Sequence, residues 1–373
     1  MKVLLFAPIP PPFNGATYMI KTLLESKLKE HFDVTHINCS FVENFDDPEG
    51  SFTLRRGFLF VKYLIELVSC LFFVKPTVII ICPNFSRNSF IKTCIYIFIC
   101  SSLFRKKTIL WCHANGLSKL YKSSYLSLRL MIRYIMRCAT CVVTCSHKLA
   151  EENNNFFVGT DKLYTIHYGI PNELVQSSHE DNKTIRVVYI SNMFTAKGWR
   201  ILFDAANIIC RKYNDVIFNF YGSPTFDSPR EDIDKLFNSS FSSERIKYHG
   251  PVYDLAKEKV FAESSIFCFP TYFEEETFGI VNIEAMKYGL PIIATNHDGI
   301  PEIVDDNLGG FLVEKRNTND LVDKLEILIN NENLRLSMGL YNRMMFEKKF
   351  TIDKFSENWM ILLNRFENNY IKN

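Results

Sequence analysis

Residues 269–286 read Phe-Pro-Thr-Tyr-Phe-Glu-Glu-Glu-Thr-Phe-Gly-Ile-Val-Asn-Ile-Glu-Ala-Met and carry the clearest signal in the chain. An apolar strand ends at Pro270, a loop with three acidic residues follows, and Gly279 begins a helix. Free amides and the helix dipole at such a helix start can hold an anionic diphosphate. Glu276 and Glu284 could then bind the sugar and ribose hydroxyls of an elongated ligand. The pattern alone fits a solvated acidic loop equally well.

Strand and helix patterns alternate along the chain, which predicts doubly wound parallel sheets. The alternation stops at a polar stretch and then restarts. We therefore predict an α/β domain at 1–172, a linker at 173–184, a second α/β domain at 185–350, and a C-terminal helix at 351–373 that packs back on the first domain. Ligands bind beyond the carboxyl ends of parallel strands, so two such domains facing each other would form a cleft.

Short apolar runs between turn residues predict the strands, and helical periodicity predicts the helices between them. The predicted strands are Val3–Pro8, Val34–Asn38, Val78–Cys82, Thr108–His113, Cys141–Ser146, Tyr164–Ile170, Arg186–Ser191, Val216–Gly222, Ile246–His249, Ile266–Pro270 and Pro291–Ala294, and the clearest helices are Ala16–Lys29, Leu117–Arg137, Trp199–Tyr213 and Ile280–Tyr288.

The two glutamates enclose seven residues, and the segment resembles the Glu-x7-Glu motif of the retaining glycosyltransferases of the family 4 type, which have the GT-B fold. Residues 285–295 (Ala-Met-Lys-Tyr-Gly-Leu-Pro-Ile-Ile-Ala-Thr) and 298–304 (Asp-Gly-Ile-Pro-Glu-Ile-Val) continue the resemblance. It implies a nucleotide-sugar donor, UDP- or GDP-linked, with Glu276 on the donor sugar and Glu284 on the ribose. The backbone at Phe278 and Gly279 would lie against the sugar and the diphosphate.

Other segments agree with this resemblance. The segment 191–198 is similar to the one in which the family places an Arg and a Lys on the donor phosphates, and Lys197 fits the Lys. Asn192 stands at the Arg position and cannot supply charge. His113 ends a strand where the family carries a His that reaches the donor sugar, and we predict substrate binding for it. Tyr168 replaces a family Asn and receives no catalytic role.

The predicted site is therefore a defined set of residues. A Gly in the loop after the first strand would let the backbone approach the diphosphate or the acceptor. The catalytic residues are Glu276, His113 and Lys197, and the donor-binding residues are Glu284, Phe278, Gly279, Thr277, Asn192, Gly15 and Asn14. The resemblance implies metal-independent chemistry with no cofactor beyond the nucleotide sugar, in which the leaving diphosphate takes the acceptor proton.

Charge is distributed unevenly along the chain. Residues 1–172 hold 20 Lys and Arg against 11 Asp and Glu, and residues 67–150 contain no acidic residue. Arg129, Arg133 and Arg137 are spaced to line one face of their helix, which is also what a solvated face would look like. Together with the basic residues 105–107 they favour contact with an anionic membrane surface. No nucleic-acid-binding module is recognisable.

The family resemblance implies a retaining hexosyl- or N-acetylhexosaminyltransferase, and with the membrane argument it implies a role in bacterial surface polysaccharide (O-antigen or capsule) synthesis. Its acceptor would be an oligosaccharide or lipid-linked glycan. Eleven cysteines without paired spacing and no signal sequence favour the cytoplasm, with peripheral attachment at the inner membrane face. Two alternatives stay open: a nucleotide-sugar 2-epimerase of the same fold, and a non-catalytic sugar-nucleotide-binding module. A dinucleotide-dependent dehydrogenase is disfavoured because Gly-x-Gly-x-x-Gly is absent after the first strand.

Overall fold

The computed structural model describes residues 1–11, 13–41, 53–154, 156, 162–176 and 184–371, with side chains to residue 367. The chain forms two compact units, Met1–Gly169 together with Ile352–Asn373 (unit 1) and Ile170–Thr351 (unit 2). Most of the linker predicted at 173–184 lies outside the described residues.

Unit 1 contains a six-stranded parallel sheet with the order β2-β1-β3-β4-β5-β6. Its strands are β1 (Lys2–Phe6), β2 (Asp33–Ile37), β3 (Val78–Ile81), β4 (Lys107–Cys112), β5 (Cys141–Thr144) and β6 (Leu163–Thr165). Strand β3 reads Val-Ile-Ile-Ile and is buried along its whole length. Continuous apolar strands of this kind are typical of parallel sheets covered on both faces.

Seven helices follow these strands in the described part of unit 1 up to residue 154. They are α1 (Gly15–Glu25), α2 (Leu28–His31), α3 (Leu54–Phe73), α4 (Arg87–Ile97) with a π-helical turn at Phe98–Leu103, α5 (Leu117–Ser123), α6 (Leu126–Cys138) and α7 (His147–Asn154). Within the described ranges no helix has the length and apolarity needed to cross a bilayer.

Two helices predicted as continuous are interrupted, so those predictions were wrong. The predicted helix 117–137 breaks after α5. There the Ser124 hydroxyl donates to the Leu120 carbonyl, and Tyr125 has an extended backbone conformation. The predicted helix 16–29 breaks at Ser26, whose hydroxyl donates to the Leu23 carbonyl. Serine side chains compete with the backbone for hydrogen bonds in this way, which periodicity does not record.

Unit 2 contains a second six-stranded parallel sheet, in the order β12-β11-β10-β7-β8-β9. Its strands are β7 (Ile185–Ile190), β8 (Val216–Tyr221), β9 (Ile246–Tyr248), β10 (Ile266–Phe269), β11 (Ile292–Thr295) and β12 (Gly310–Val313), and its helices are α8 (Trp199–Lys212), α9 (Arg230–Asn238), α10 (Asp254–Ala262), α11 (Ile280–Lys287), α12 (Thr318–Asn330) and α13 (Glu332–Lys349). Strand β12 was not predicted. The predicted fold class, two doubly wound α/β domains, is confirmed.

The last helix, α14 (Ile352–Ile371), belongs to unit 1. Trp359 of this helix packs edge-on against Trp111 of β4, with ring centroids 4.9 Å apart. The two ends of unit 2 meet just before it, because the Ile170 amide donates to the Phe350 carbonyl at 2.9 Å and Ile170 pairs with Thr351. The chain therefore enters and leaves unit 2 at neighbouring points.

Candidate active site

The loops after β7 and β10 form one edge of unit 2. The two strands pair in parallel, so their carboxyl ends lie side by side. The Tyr272 amide donates to the Ala196 carbonyl at 2.8 Å, which ties the loop at 270–279 to the turn at 195–197. This edge is where parallel α/β sheets bind ligands.

Gly198 sets the approach of these two loops. It has a φ of +85°, and a Cβ at this position would lie 2.0 Å from the Pro270 carbonyl oxygen. Only glycine can adopt this conformation while backbone passes so close. Gly198 therefore fixes the direction of the preceding Lys197 and the start of α8.

Lys197 and Glu276, two of the predicted catalytic residues, are brought together. The Lys197 ammonium donates to a Glu276 carboxylate oxygen at 2.5 Å. Their side chains are only 16% and 13% exposed, and the ammonium lies 4.5 Å from the centre of the Phe273 ring. A largely buried charge is tolerated when it is paired, and removing one partner leaves the other uncompensated. The pair thus gives the edge one fixed cation and one fixed carboxylate.

The second predicted glutamate has a partner that the sequence pattern did not reveal. Lys257 of α10 donates to both carboxylate oxygens of Glu284, at 2.7 and 2.6 Å. The same two helices share another contact, in which Lys287 and Tyr288 both donate to Glu258, at 2.8 and 2.5 Å. Nothing in the sequence around Lys257 indicates that it pairs with Glu284.

The start of α11 is built from the predicted residues Thr277, Phe278 and Gly279. Gly279 has a φ of +75° and precedes the first helical residue, while Thr277 and Phe278 are buried. Behind this turn lies Asn282, whose buried side-chain amide has no hydrogen-bond partner among the described residues. Asn282 was not singled out from the sequence. The amides of a helix's first turn have no partner further back in the helix, which suits helix starts to anions; here the Asn282 amide donates to the Gly279 carbonyl at 2.9 Å.

His113 lies in unit 1, directly after β4. Its Nδ1 is 2.6 Å from the Tyr168 hydroxyl and its Nε2 is 3.5 Å from Cys82 Sγ. Burial lowers the pKa of His113 to about 3, so the imidazole is neutral at neutral pH. A pKa this low makes the imidazole a poor proton acceptor, and because both ring nitrogens contact protein atoms, the substrate contact predicted for His113 stays a prediction. Tyr168, which received no role from the sequence, is a direct partner of this histidine.

The remaining predicted residues have local structural roles as well. Asn14 caps α1, since its side chain accepts from the Thr17 amide at 2.9 Å while the Thr17 hydroxyl accepts from the Asn14 amide at 3.1 Å. Gly15 is the first residue of that helix. Asn192 is half-buried in the loop after β7. The donor contacts predicted for these three residues stay predictions.

Comparison with known proteins identifies several that are similar in sequence to this chain. The sequence model of the family described as glycosyl transferases, group 1, matches residues 172–345. This range is nearly all of unit 2 and just under half of the chain. An uncharacterized glycosyltransferase of Haemophilus influenzae is 31% identical over 184 residues, which is 49% of each protein. The capsular polysaccharide biosynthesis glycosyltransferase CapM of Staphylococcus aureus is 29% identical over 258 residues, 65% of this chain and 66% of CapM. The chain thus spans half to two thirds of these relatives.

Among solved structures, Anabaena HepE in complex with UDP superposes with a TM-score of 0.74 at 18% identity. The superposition covers 98% of this chain and 100% of that one. At this level of identity the likeness establishes the fold, which is GT-B.

Proposed function

We propose that the protein is a retaining glycosyltransferase that uses a nucleotide-sugar donor. The proposal starts from the match of unit 2 to the glycosyl transferases of group 1 and from the GT-B fold. The observation that carries the proposal is the Lys197–Glu276 ion pair beside the amide-bearing start of α11. In this assignment the diphosphate binds at Lys197 and the start of α11, the sugar at Glu276, and the ribose at Glu284.

In this proposal each residue has a separate task. The amides that begin α11 and the Lys197 ammonium stabilise the charge that builds on the departing diphosphate. Glu276 holds the donor-sugar hydroxyls and Glu284 the ribose hydroxyls. The bond from the anomeric carbon to the diphosphate oxygen breaks, and a bond to the acceptor oxygen forms on the same face. The acceptor proton passes to the diphosphate oxygen.

For the acceptor we propose a glycan of a bacterial surface polysaccharide, either lipid-linked or a free oligosaccharide. The similarity to CapM, named for capsular polysaccharide biosynthesis, supports this pathway class. HepE was solved with UDP, which makes UDP-hexoses and UDP-N-acetylhexosamines the first donors to test, before GDP-linked sugars.

A thermal-shift screen tests the donor. We expect UDP or GDP, but not CMP, to raise the melting temperature by several degrees, because a ligand at 100 times its Kd stabilises by about 2.7 kcal/mol. Absence of a shift with every nucleoside diphosphate would contradict the proposal. Product analysis with the matching nucleotide sugar then separates the alternatives: transfer requires an acceptor, whereas a 2-epimerase releases an epimeric nucleotide sugar without one.

We further propose that unit 1 docks on an anionic membrane surface. Helix α3 lies between β2 and β3, α4 between β3 and β4, and α6 between β4 and β5. All three connections move in the same direction across the sheet. Because such crossovers are right-handed, the three helices lie on the same face of the sheet. Their outer sides carry large apolar residues that are each more than a third exposed: Leu54, Phe58, Val61, Ile65, Phe72, Phe73, Ile91, Ile95, Phe98, Leu103, Leu126, Leu130 and Tyr134.

The charges beside this apolar face fit lipid headgroups. The stretch 67–150, which contains α4 and α6, has no acidic residue. Arg133 and Arg137 of α6 are exposed, whereas Arg129 is partly engaged because its guanidinium donates to the Tyr121 and Lys122 carbonyls. An apolar face bordered by cations is typical of helices that lie in the membrane interface.

A matched pair of variants tests the docking. The double variant Leu126→Glu/Leu130→Glu on α6 is expected to reduce binding to vesicles containing anionic lipid by about tenfold or more, since it adds two like charges and removes two apolar contacts. Leu336→Glu/Leu340→Glu on α13 has the same spacing and similar exposure and should bind like wild type. Co-sedimentation at low and high salt measures both. Equal binding by the two variants, or no weakening with salt, would refute membrane docking through α6.

A further inference from the structure

The contact between α10 and α11 contains two ion pairs of opposite polarity. Lys257 on α10 pairs with Glu284 on α11, and Glu258 on α10 pairs with Lys287, which ends α11. Tyr288 donates a second hydrogen bond to Glu258. The second pair therefore links the two helices independently of the first.

Lys257 contacts both carboxylate oxygens of its partner. Its single ammonium donates to both oxygens of Glu284 within 2.7 Å, and the two side chains are only 26% and 16% exposed. An ionised carboxylate offers about four lone-pair positions, two on each oxygen. With one position on each oxygen held by Lys257, one position on each remains. Both oxygens are thus fixed in orientation yet able to accept another donor.

We propose that Lys257 is a positioning residue that holds the Glu284 carboxylate for a ligand with two adjacent hydroxyl donors, the cis-diol of a nucleoside ribose. Lys257 has this role only if the proposed function is correct. Its consequence is specificity: a ribonucleotide fills both remaining lone-pair positions, whereas a 2′-deoxynucleotide fills one. Hydrogen bonds to charged groups contribute about 1.5–3 kcal/mol each, equivalent to a preference of roughly 10- to 150-fold.

The test measures the ribose preference, which a merely structural lysine would not change. Binding of UDP and 2′-deoxy-UDP, and of GDP and 2′-deoxy-GDP, is measured by calorimetry for wild type, Lys257→Met, Lys257→Gln and Lys257→Arg. We expect wild type to prefer the ribonucleotide at least about tenfold, and both neutral variants to lose most of that preference through weaker ribonucleotide binding. Arginine, which can donate to two oxygens, should retain it.

Lys287→Met is the matched control, because it breaks the other ion pair between the same helices without touching Glu284. It should keep the ribose preference, and thermal melting of each variant confirms folding. An unchanged preference in Lys257→Met and Lys257→Gln, or an equal loss in Lys287→Met, would overturn the role of Lys257 and leave the proposed function intact. Wild type that binds no nucleoside diphosphate would instead refute the proposed function. If wild type binds the ribonucleotide and the 2′-deoxynucleotide equally well, the diol site is refuted while the proposed function is not.

Discussion

Glu276→Gln is expected to lower kcat/KM for sugar transfer by about 10²- to 10³-fold, the range seen when a charge-stabilising group is removed from an active site. Glutamine keeps the size of the side chain but leaves the Lys197 ammonium without its 2.5 Å carboxylate partner in a largely buried position. The freed ammonium is then held less firmly, and the donor sugar loses an anionic acceptor. Initial rates with the donor found by thermal shift measure the effect.

Two comparisons make this prediction specific. Glu275→Gln changes the neighbouring, exposed residue of the same loop and should alter the rate by less than about twofold. Lys197→Met should cause a loss similar to that of Glu276→Gln, and the double variant should lose less than the product of the single effects, because groups that act as a unit are not additive. Full activity in the double variant would show that neither residue belongs to the active site.

Gly198→Ala is expected to destabilise the protein by about 3 kcal/mol or more, because the added Cβ combines overpacking with strain at a positive φ. The clash is with backbone, at 2.0 Å from the Pro270 carbonyl oxygen, so no side chain can move away to relieve it. For a unit of this size the melting temperature should fall by roughly 6–12 °C. Lys197 would shift with the loop, so the remaining folded protein should also transfer sugar more slowly.

Gly57→Ala is the control, because it makes the same glycine-to-alanine change at a position where the added Cβ is not crowded. Gly57 lies inside α3, and a Cβ there meets nothing within 4 Å. Alanine should be neutral or stabilise by up to about 1 kcal/mol, since glycine is the poorer helix former. Melting monitored by circular dichroism compares the two variants. If Gly198→Ala melts like Gly57→Ala, the close approach of the two loops is not a feature of the protein in solution.

The strands and the site loop could be predicted because their signals are local. Continuous apolar runs such as Val78–Ile81 predicted buried parallel strands within two residues of their ends. The less apolar run Tyr164–Ile170 was predicted too long, since β6 ends at Thr165. The spacing of Glu276 and Glu284 around the helix start is likewise contained in one short segment. Helix ends at serine were missed because the competing hydrogen bond depends on side-chain geometry rather than on periodicity.

The contact partners of Glu284 and His113 could not be predicted from such local signals. Lys257 is 27 residues from Glu284, and Tyr168 is 55 residues from His113. Each contact exists because the fold of its unit brings together segments that are distant in the chain, and many lysines or tyrosines in the chain could have filled either role. The residues of the predicted site were therefore chosen from local motifs, whereas their partners Lys257 and Tyr168 became visible only in the structure.

The pairing of Ile170 with Thr351 has a consequence for how such chains diversify. Because both ends of unit 2 lie next to each other, the whole of Ile170–Thr351 is an insert with a single attachment point, closed by the hydrogen bond from Ile170 to Phe350. Inserts with adjacent ends can be exchanged between proteins without stretching the chain that receives them. Recombination at this point would replace one module while leaving the sheet of unit 1 and its closing helix α14 unbroken.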